Sequence, residues 1–310
     1  MNPKMTVAHA AKVLNMTSQA VHKRAKSLSI RLPKDGNKMH IDFKSAQQIF
    51  GFDFKKQVIA MQIVKGGVGK TTLVSSIATC ANLYGARVLC IDCDQQGNLT
   101  RSFNIDATES PILIDILDQG LDIHDAIVPS GIEGLDILPS RMDNANLDTI
   151  LMLKKLPLDK VYNKLINKVR DEYDLVLIDC PPALGASVTA ISLAVDSVIA
   201  PVTPEEYAID GLKVSATELK KISETFDTEI DFKIILNKFD SRTTLSHEVL
   251  EHLISEPFYK EKIFKSYVRV NQSFANVIAD RKTIYDATKP SADKEDIDLI
   301  TRELLGINEN

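Results

Sequence analysis

The spacing of apolar positions changes character once along the chain. Over the first fifty residues it is helical and short. In "VAHAAKVL", Val7, Ala10, Ala11 and Leu14 share one face, and Thr6 stands where a cap belongs. Asn15-Met16 supplies a turn. Thr17 then caps "SQAVHKRAKSLS", in which Ala20, Val21, Ala25 and Leu28 face inward. Two short helices joined by a tight turn predict a helix-turn-helix. "IRLPKDGNKMHIDF" reads as two strand-like pieces around the turn Pro33-Lys34-Asp35-Gly36-Asn37, a wing, and a helix over about Lys44–Phe50 closes the unit.

After a connector over residues 51–57, which opens with "GFDFKK", the rhythm becomes strands alternating with helices. "VIAMQIV", "RVLCID", "LDILP", "DLVLIDC", "DSVIAPV" and "FKIILNKF" are apolar without alternation, as strands buried on both faces of a parallel sheet are. Helices lie between them, among them "TTLVSSIATCANLYG", stopped by Gly85, and Lys213–Phe226. The fold class predicted is α/β: a doubly wound, mostly parallel sheet over residues 58–310, with a small winged helix-turn-helix head over residues 1–50. The last helix, "DKEDIDLITRELLG", reads as acidic on its polar face, which argues against a basic membrane-anchoring helix.

Charge sharpens this division. The chain carries −5, yet residues 1–50 hold seven Lys and two Arg against Asp35 and Asp42. The head is therefore +7 and the rest −12, a distribution expected when the head meets a polyanion. On the second helix Ser18, Gln19, His22, Lys23 and Lys26 fall outward. Gln can read adenine edges, and Lys can bind guanine edges or phosphate, so this helix is the candidate for a DNA major groove. No apolar run reaches the ~20 residues of a membrane span, and no secretory signal is visible. Of the cysteines, Cys90 and Cys93 form a C-x-x-C, but on a strand they point to opposite faces and no second pair completes a metal site. Buried, reduced thiols and a cytoplasmic location are the expectation.

The chemistry concentrates in "IVKGGVGKTTL". Gly66, Gly67 and Gly69 follow a strand and precede a helix, the setting a phosphate-binding loop requires. Backbone N–H groups there wrap phosphate oxygens, Lys70 neutralises the outer phosphates, and Thr71 offers its hydroxyl to Mg²⁺. The usual first glycine is Val64, and a second lysine, Lys65, stands just inside the loop. Asp92, Asp94 and Asp179 end or follow apolar strands, where carboxylates can hold Mg²⁺ or water.

"KGGVGKTT", "CIDCDQQGN", "LVLIDCPPALG" and "PVTPEEYAIDGL" together resemble the ParA/Soj family of deviant Walker A partition ATPases, from about Val58 to the C-terminus. The resemblance implies slow hydrolysis of ATP with Mg²⁺, a homodimer that sandwiches two ATPs, and non-specific DNA binding on the nucleoid. It also implies stimulation by a centromere-binding, ParB-like partner. Lys65 is then the lysine that crosses to the other subunit's nucleotide, and Lys65, Lys70 and Asp94 are the catalytic residues, with Asp94 positioning the attacking water. Residues 65–72, Lys65 through Val68 to Thr72, surround the phosphates; Asn237 reads adenine, Pro204 lies near the base, and Thr71 and Asp179 hold Mg²⁺. Lys265, Arg269, Arg281 and Lys282 fall where the family binds DNA, with "VRVN" in place of the family's "IPRN". Larger plasmid members carry an N-terminal helix-turn-helix that represses their operon; this head is shorter. Competing implications are a nucleotide-gated repressor, a MinD-like positioning ATPase, and a nitrogenase-reductase-like carrier, the last lacking a cluster-ligating cysteine pair.

Overall fold

Strand by strand, the apolar runs place alternate residues on the two faces of one sheet. The computed structural model describes residues 1–36, 38–287 and 289–307. The chain opens with β1 (Met5–Thr6), α1 (Val7–Val13), α2 (Ser18–Ser27), β2 (Lys34–Asp35), β3 (Lys38–Ile41) and α3 (Phe43–Phe50). The body continues with β4 (Gln57–Met61), α4 (Lys70–Leu83), β5 (Val88–Asp92), α5 (Asn98–Ser102), α6 (Leu113–Gln119), β6 (Val128–Ile132), β7 (Leu135–Leu138), α7 (Leu147–Leu153) and α8 (Val161–Val169). It ends with β8 (Leu175–Asp179), α9 (Ala186–Ser192), β9 (Ser197–Val202), α10 (Ala208–Phe226), β10 (Asp231–Leu236), α11 (Thr244–Ser255), α12 (Pro257–Lys260), α13 (Ser273–Ala279) and α14 (Ala292–Leu305).

The large sheet has the order β10-β9-β4-β8-β5-β7-β6, parallel except for β6, which pairs antiparallel with β7 at the edge. In β4, Ile59 and Met61 face the layer of α4 and α14, while Val58 and Ala60 face the opposite layer. Cys90 and Cys93 likewise fall in opposite layers, and all four cysteines are free and buried. Both faces are thus covered, as continuous apolar strands require. No helix among the described residues is long and apolar enough to cross a membrane.

At the N-terminus, Thr6 and Thr17 cap α1 and α2, accepting from the His9 and Ala20 amides at 3.1 Å. β2 and β3 form a hairpin, and β3 pairs on its other side with β1. The last residue of the expected turn, Asn37, lies outside the described residues. Val21 and Ala25 are buried, but Leu28 is 42% exposed, contrary to the inward face expected for it. It stands at the C-cap of α2, where the chain leaves the helix before reaching the packed layer.

The first fifty residues share one apolar core with the α4 face of the sheet: Val7, Ile49 and Phe50 belong to the same cluster as Leu83 and Tyr84. The connector is pinned in the same place. Phe52 stacks on Phe50 with centroids 5.2 Å apart, and both rings meet Tyr84. Gly85, which ends α4, lies so close to α3 that a Cβ there would come within 2.8 Å of the Gln47 amide nitrogen.

One expectation is overturned at the C-terminus. The carboxylates of the last helix do not form a solvated acidic face: Asp293, Asp296 and Asp298 are buried. Each meets a donor from far along the chain. Ser273 donates to Asp293, Arg269 to Asp296, and Tyr84 and His9 to Asp298.

Candidate nucleotide site

The phosphate loop joins β4 to α4, and its glycines turn the chain where other residues would strain. Gly67 and Gly69 have φ of 76° and 86°, the left-handed region that costs glycine little. At Gly69 the space is closed as well, because a Cβ would stand 2.6 Å from the Asn237 side-chain nitrogen. The loop opens into a cleft of about 1030 Å³ whose wall includes Gly66, Lys70, Thr71, Asp94, Asn237 and Arg269.

Lys70 begins α4 and is buried, its Nζ 3.5 Å from the Lys65 carbonyl. Burial pushes its ammonium down, and the nearby Asp179 carboxylate opposes that shift. Thr71 Oγ1 donates to Asp179 Oδ2 at 2.6 Å. Asp179 ends β8, in register with Asp92 at the end of β5. Burial raises Asp179 to about 8, helped by the Asp92 charge and opposed by the Thr71 hydrogen bond and Lys70. Burial likewise raises Asp92 to about 6, although Thr100 and the Asp94 amide donate to it. Without phosphates the site therefore disfavours charge on its lysine and on its carboxylates alike. A bound triphosphate would favour the lysine's charged form and oppose that shift.

The residues fit Mg²⁺. Asp179 Oδ1 is buried with no hydrogen-bond partner, beside a threonine hydroxyl. Among the described residues no cluster of three or more His, Cys, Asp or Glu could hold a metal. Mg²⁺ needs none where phosphate and water complete its shell.

Asp94 lies on the cleft wall, with Oδ1 accepting from the Gln96 amide at 2.9 Å and its carbonyl accepting from Ser140 Oγ at 2.7 Å. Lys65 points elsewhere. Its Nζ meets Glu205 Oε2 at 3.0 Å and the Glu206 carbonyl at 3.2 Å, outside the cradle that holds Lys70. Asn237 donates from Nδ2 to the Val68 carbonyl at 2.7 Å, which leaves its Oδ1 as an acceptor. Pro204 stands in the loop after β9, beside Glu205, and is not part of the cleft wall.

The basic candidates divide. Ser18, Gln19, His22, Lys23 and Lys26 are all exposed on α2. Lys265, Arg281 and Lys282 are exposed on the body. Arg269 is committed: its Nε meets Asp296 Oδ1 at 2.9 Å and its Nη2 meets the same oxygen at 2.5 Å, a pair that raises its pKa. Arg269 and Arg281 also line the nucleotide cleft. Lys238, Pro182 and Phe274, which no motif singles out as site residues, line that cleft too. "ILNKF" held the signal for Lys238, a cation directly after the strand that delivers Asn237.

A glycine-rich strand–helix loop, a buried lysine and a threonine–aspartate pair on a parallel sheet define a P-loop nucleotide-binding protein. A family model described as an AAA domain matches residues 56–234. The chain is 30% identical over 241 residues to the sporulation initiation inhibitor protein Soj of Bacillus subtilis, covering 76% of this chain and 94% of Soj. It is 30% identical over 253 residues to a virulence plasmid ParA family protein of Chlamydia psittaci, covering 80% of this chain and 94% of that protein. Among solved structures, an ATP complex of McdA from Cyanothece superposes with a TM-score of 0.71 at 19% identity, over 83% of this chain and 99% of that one. The chain belongs to the ParA/Soj family of P-loop ATPases. The family match starts at residue 56, beyond α3.

Proposed function

We propose that this protein is a partition ATPase that segregates DNA, binding ATP and Mg²⁺ and forming a sandwich dimer in the ATP state. The observation that carries the reading is the opposed placement of its two loop lysines. Lys70 is buried over the phosphate cradle, whereas Lys65 leaves its own cradle for Glu205 and Glu206. A lysine so placed can serve a second subunit's nucleotide, as an arginine finger supplied in trans does. Thr71 and Asp179 are the residues that would hold Mg²⁺, which neutralises charge on the phosphates. Asp94 orients water, and a carboxylate in that role supports slow turnover, suited to a timer. Asn237 Oδ1 accepts from adenine, with Pro204 on the neighbouring loop.

On this reading, the ATP dimer binds DNA without sequence preference through Lys265, Arg281 and Lys282, with Arg269 buttressing that segment from its pair with Asp296. A ParB-like centromere-binding partner stimulates hydrolysis, and the protein resides on the nucleoid. The N-terminal unit is a winged helix-turn-helix that binds operator DNA through α2. The sorting of its cations supports this. Lys4, Lys12 and Lys44 are paired with Asp35, Glu295 and Glu133, while among the described residues Lys23, Lys26, Arg31, Lys34 and Lys38 have no carboxylate partner. A second reading, a repressor gated by nucleotide, draws on the packing of the head against α4, the helix that begins at Lys70.

The test is ATPase rate with and without DNA and the product of the adjacent gene, together with dimerisation of Lys65→Gln. ATP binding without dimers in that variant, and stimulation of the wild type, are expected. Wild-type dimerisation by Lys65→Gln would remove the trans role. Stimulation by neither DNA nor partner would favour the repressor.

A further inference from the structure

Two consecutive side chains just after β10 hold main-chain carbonyls of the phosphate loop. Asn237 Nδ2 donates to the Val68 carbonyl and Lys238 Nζ donates to the Gly67 carbonyl, both at 2.7 Å. In a planar trans peptide the carbonyl and the following N–H point in opposite directions. Holding the Gly67 carbonyl toward Lys238 therefore turns the Val68 N–H to the opposite side, and holding the Val68 carbonyl toward Asn237 does the same for the Gly69 N–H. These are the donors a phosphate loop needs. The loop would not keep them so unaided, because Gly67 and Gly69 both have positive φ and glycine permits many alternatives.

We propose that Asn237 and Lys238 form a clasp that fixes the direction of these two N–H groups before nucleotide arrives, and that Lys238 is a positioning residue for the phosphates. Its backbone supports a placed side chain: φ at Lys238 is 56°, an unusual conformation for a non-glycine residue, and its ammonium has no carboxylate partner among the described residues. The clasp concerns nucleotide binding within each subunit and does not rest on the partition reading.

Lys238→Met tests it, because the side chain is exposed and methionine keeps the backbone and the aliphatic reach. Expected are a rise of about tenfold in Kd for ATP and for ADP and in KM for ATP, as fits the loss of one charge-assisted hydrogen bond. The kcat should stay within twofold and Tm should be unchanged. Lys238→Arg should recover most of the affinity. The loss should be the same at low and at high salt, since the lysine acts on a carbonyl and not as a charge facing phosphates. An unchanged Kd would overturn the clasp. A loss that fades with salt would make Lys238 a direct phosphate ligand, and an equal loss for adenosine would make it a base contact. Either result refutes the proposal.

Discussion

Replacing Asp179 with asparagine removes one proton-binding site from the centre of the nucleotide cleft and keeps its shape. The carboxyl is 1% exposed and is pushed up to about 8, against about 3.9 in an unfolded chain. Between those values the folded state holds a proton that the unfolded state has released. Stability is therefore highest at low pH, declines as pH rises through this window, and levels off above about 8. Each unit costs ~1.4 kcal/mol while the difference is one full proton. Asp92, raised to about 6, contributes its own decline mainly at lower pH, so the interval from pH 6 to 7.5 isolates Asp179. Over that interval the wild type should lose about 2 kcal/mol that Asp179→Asn does not lose. The assay is urea unfolding of both proteins, free of nucleotide and Mg²⁺, at the two pH values. A stability difference that stays constant within about 0.5 kcal/mol would mean that Asp179 is ionised throughout, and the burial argument would fail. Calorimetry supplies the converse: Mg·ATP binding at pH 7 should release a proton in the wild type and not in the variant.

Asp94→Ala should retain ATP binding and lose hydrolysis by about 10²-fold or more, measured as phosphate release at saturating ATP; wild-type turnover would exclude it from the chemistry. Lys23→Ala with Lys26→Ala should reduce the slope of log affinity against log salt for operator DNA by about 1.8, whereas Lys12→Ala, whose partner is Glu295, should leave it unchanged. Gly85→Ala puts a methyl against the Gln47 backbone at a φ of 91° and should destabilise the protein by about 2–4 kcal/mol in urea unfolding. An effect below about 0.5 kcal/mol would show that α3 gives way and that the head is loosely held.

The phosphate loop was legible because its chemistry is written in the backbone: glycines, a lysine and a threonine in one short run specify the cradle directly. The central strands were legible because both faces are apolar. β6 was not, since an edge strand carrying Pro129 and Gly131 has neither an apolar run nor clean alternation. The aspartates of α14 misled for a different reason. A carboxylate reads as solvated until its donor is known, and the donors for Asp296 and Asp298 lie 27 and 289 residues away. Lys238 was hidden because its partner is a main-chain carbonyl, which no residue type announces.

The bond from His9 to Asp298 bears on how the protein is made. Synthesis delivers α1 long before α14, yet these two helices meet through His9 and Asp298 and again through Lys12 and Glu295. The sequence separation of 289 between His9 and Asp298 takes roughly 15 to 60 s to translate at ordinary elongation rates. Through that interval α1 is without α14, although α4 is already available to cover Ile49 and Phe50. The bonds that tie α1 to α14 thus form only after nearly all of the intervening fold has been made.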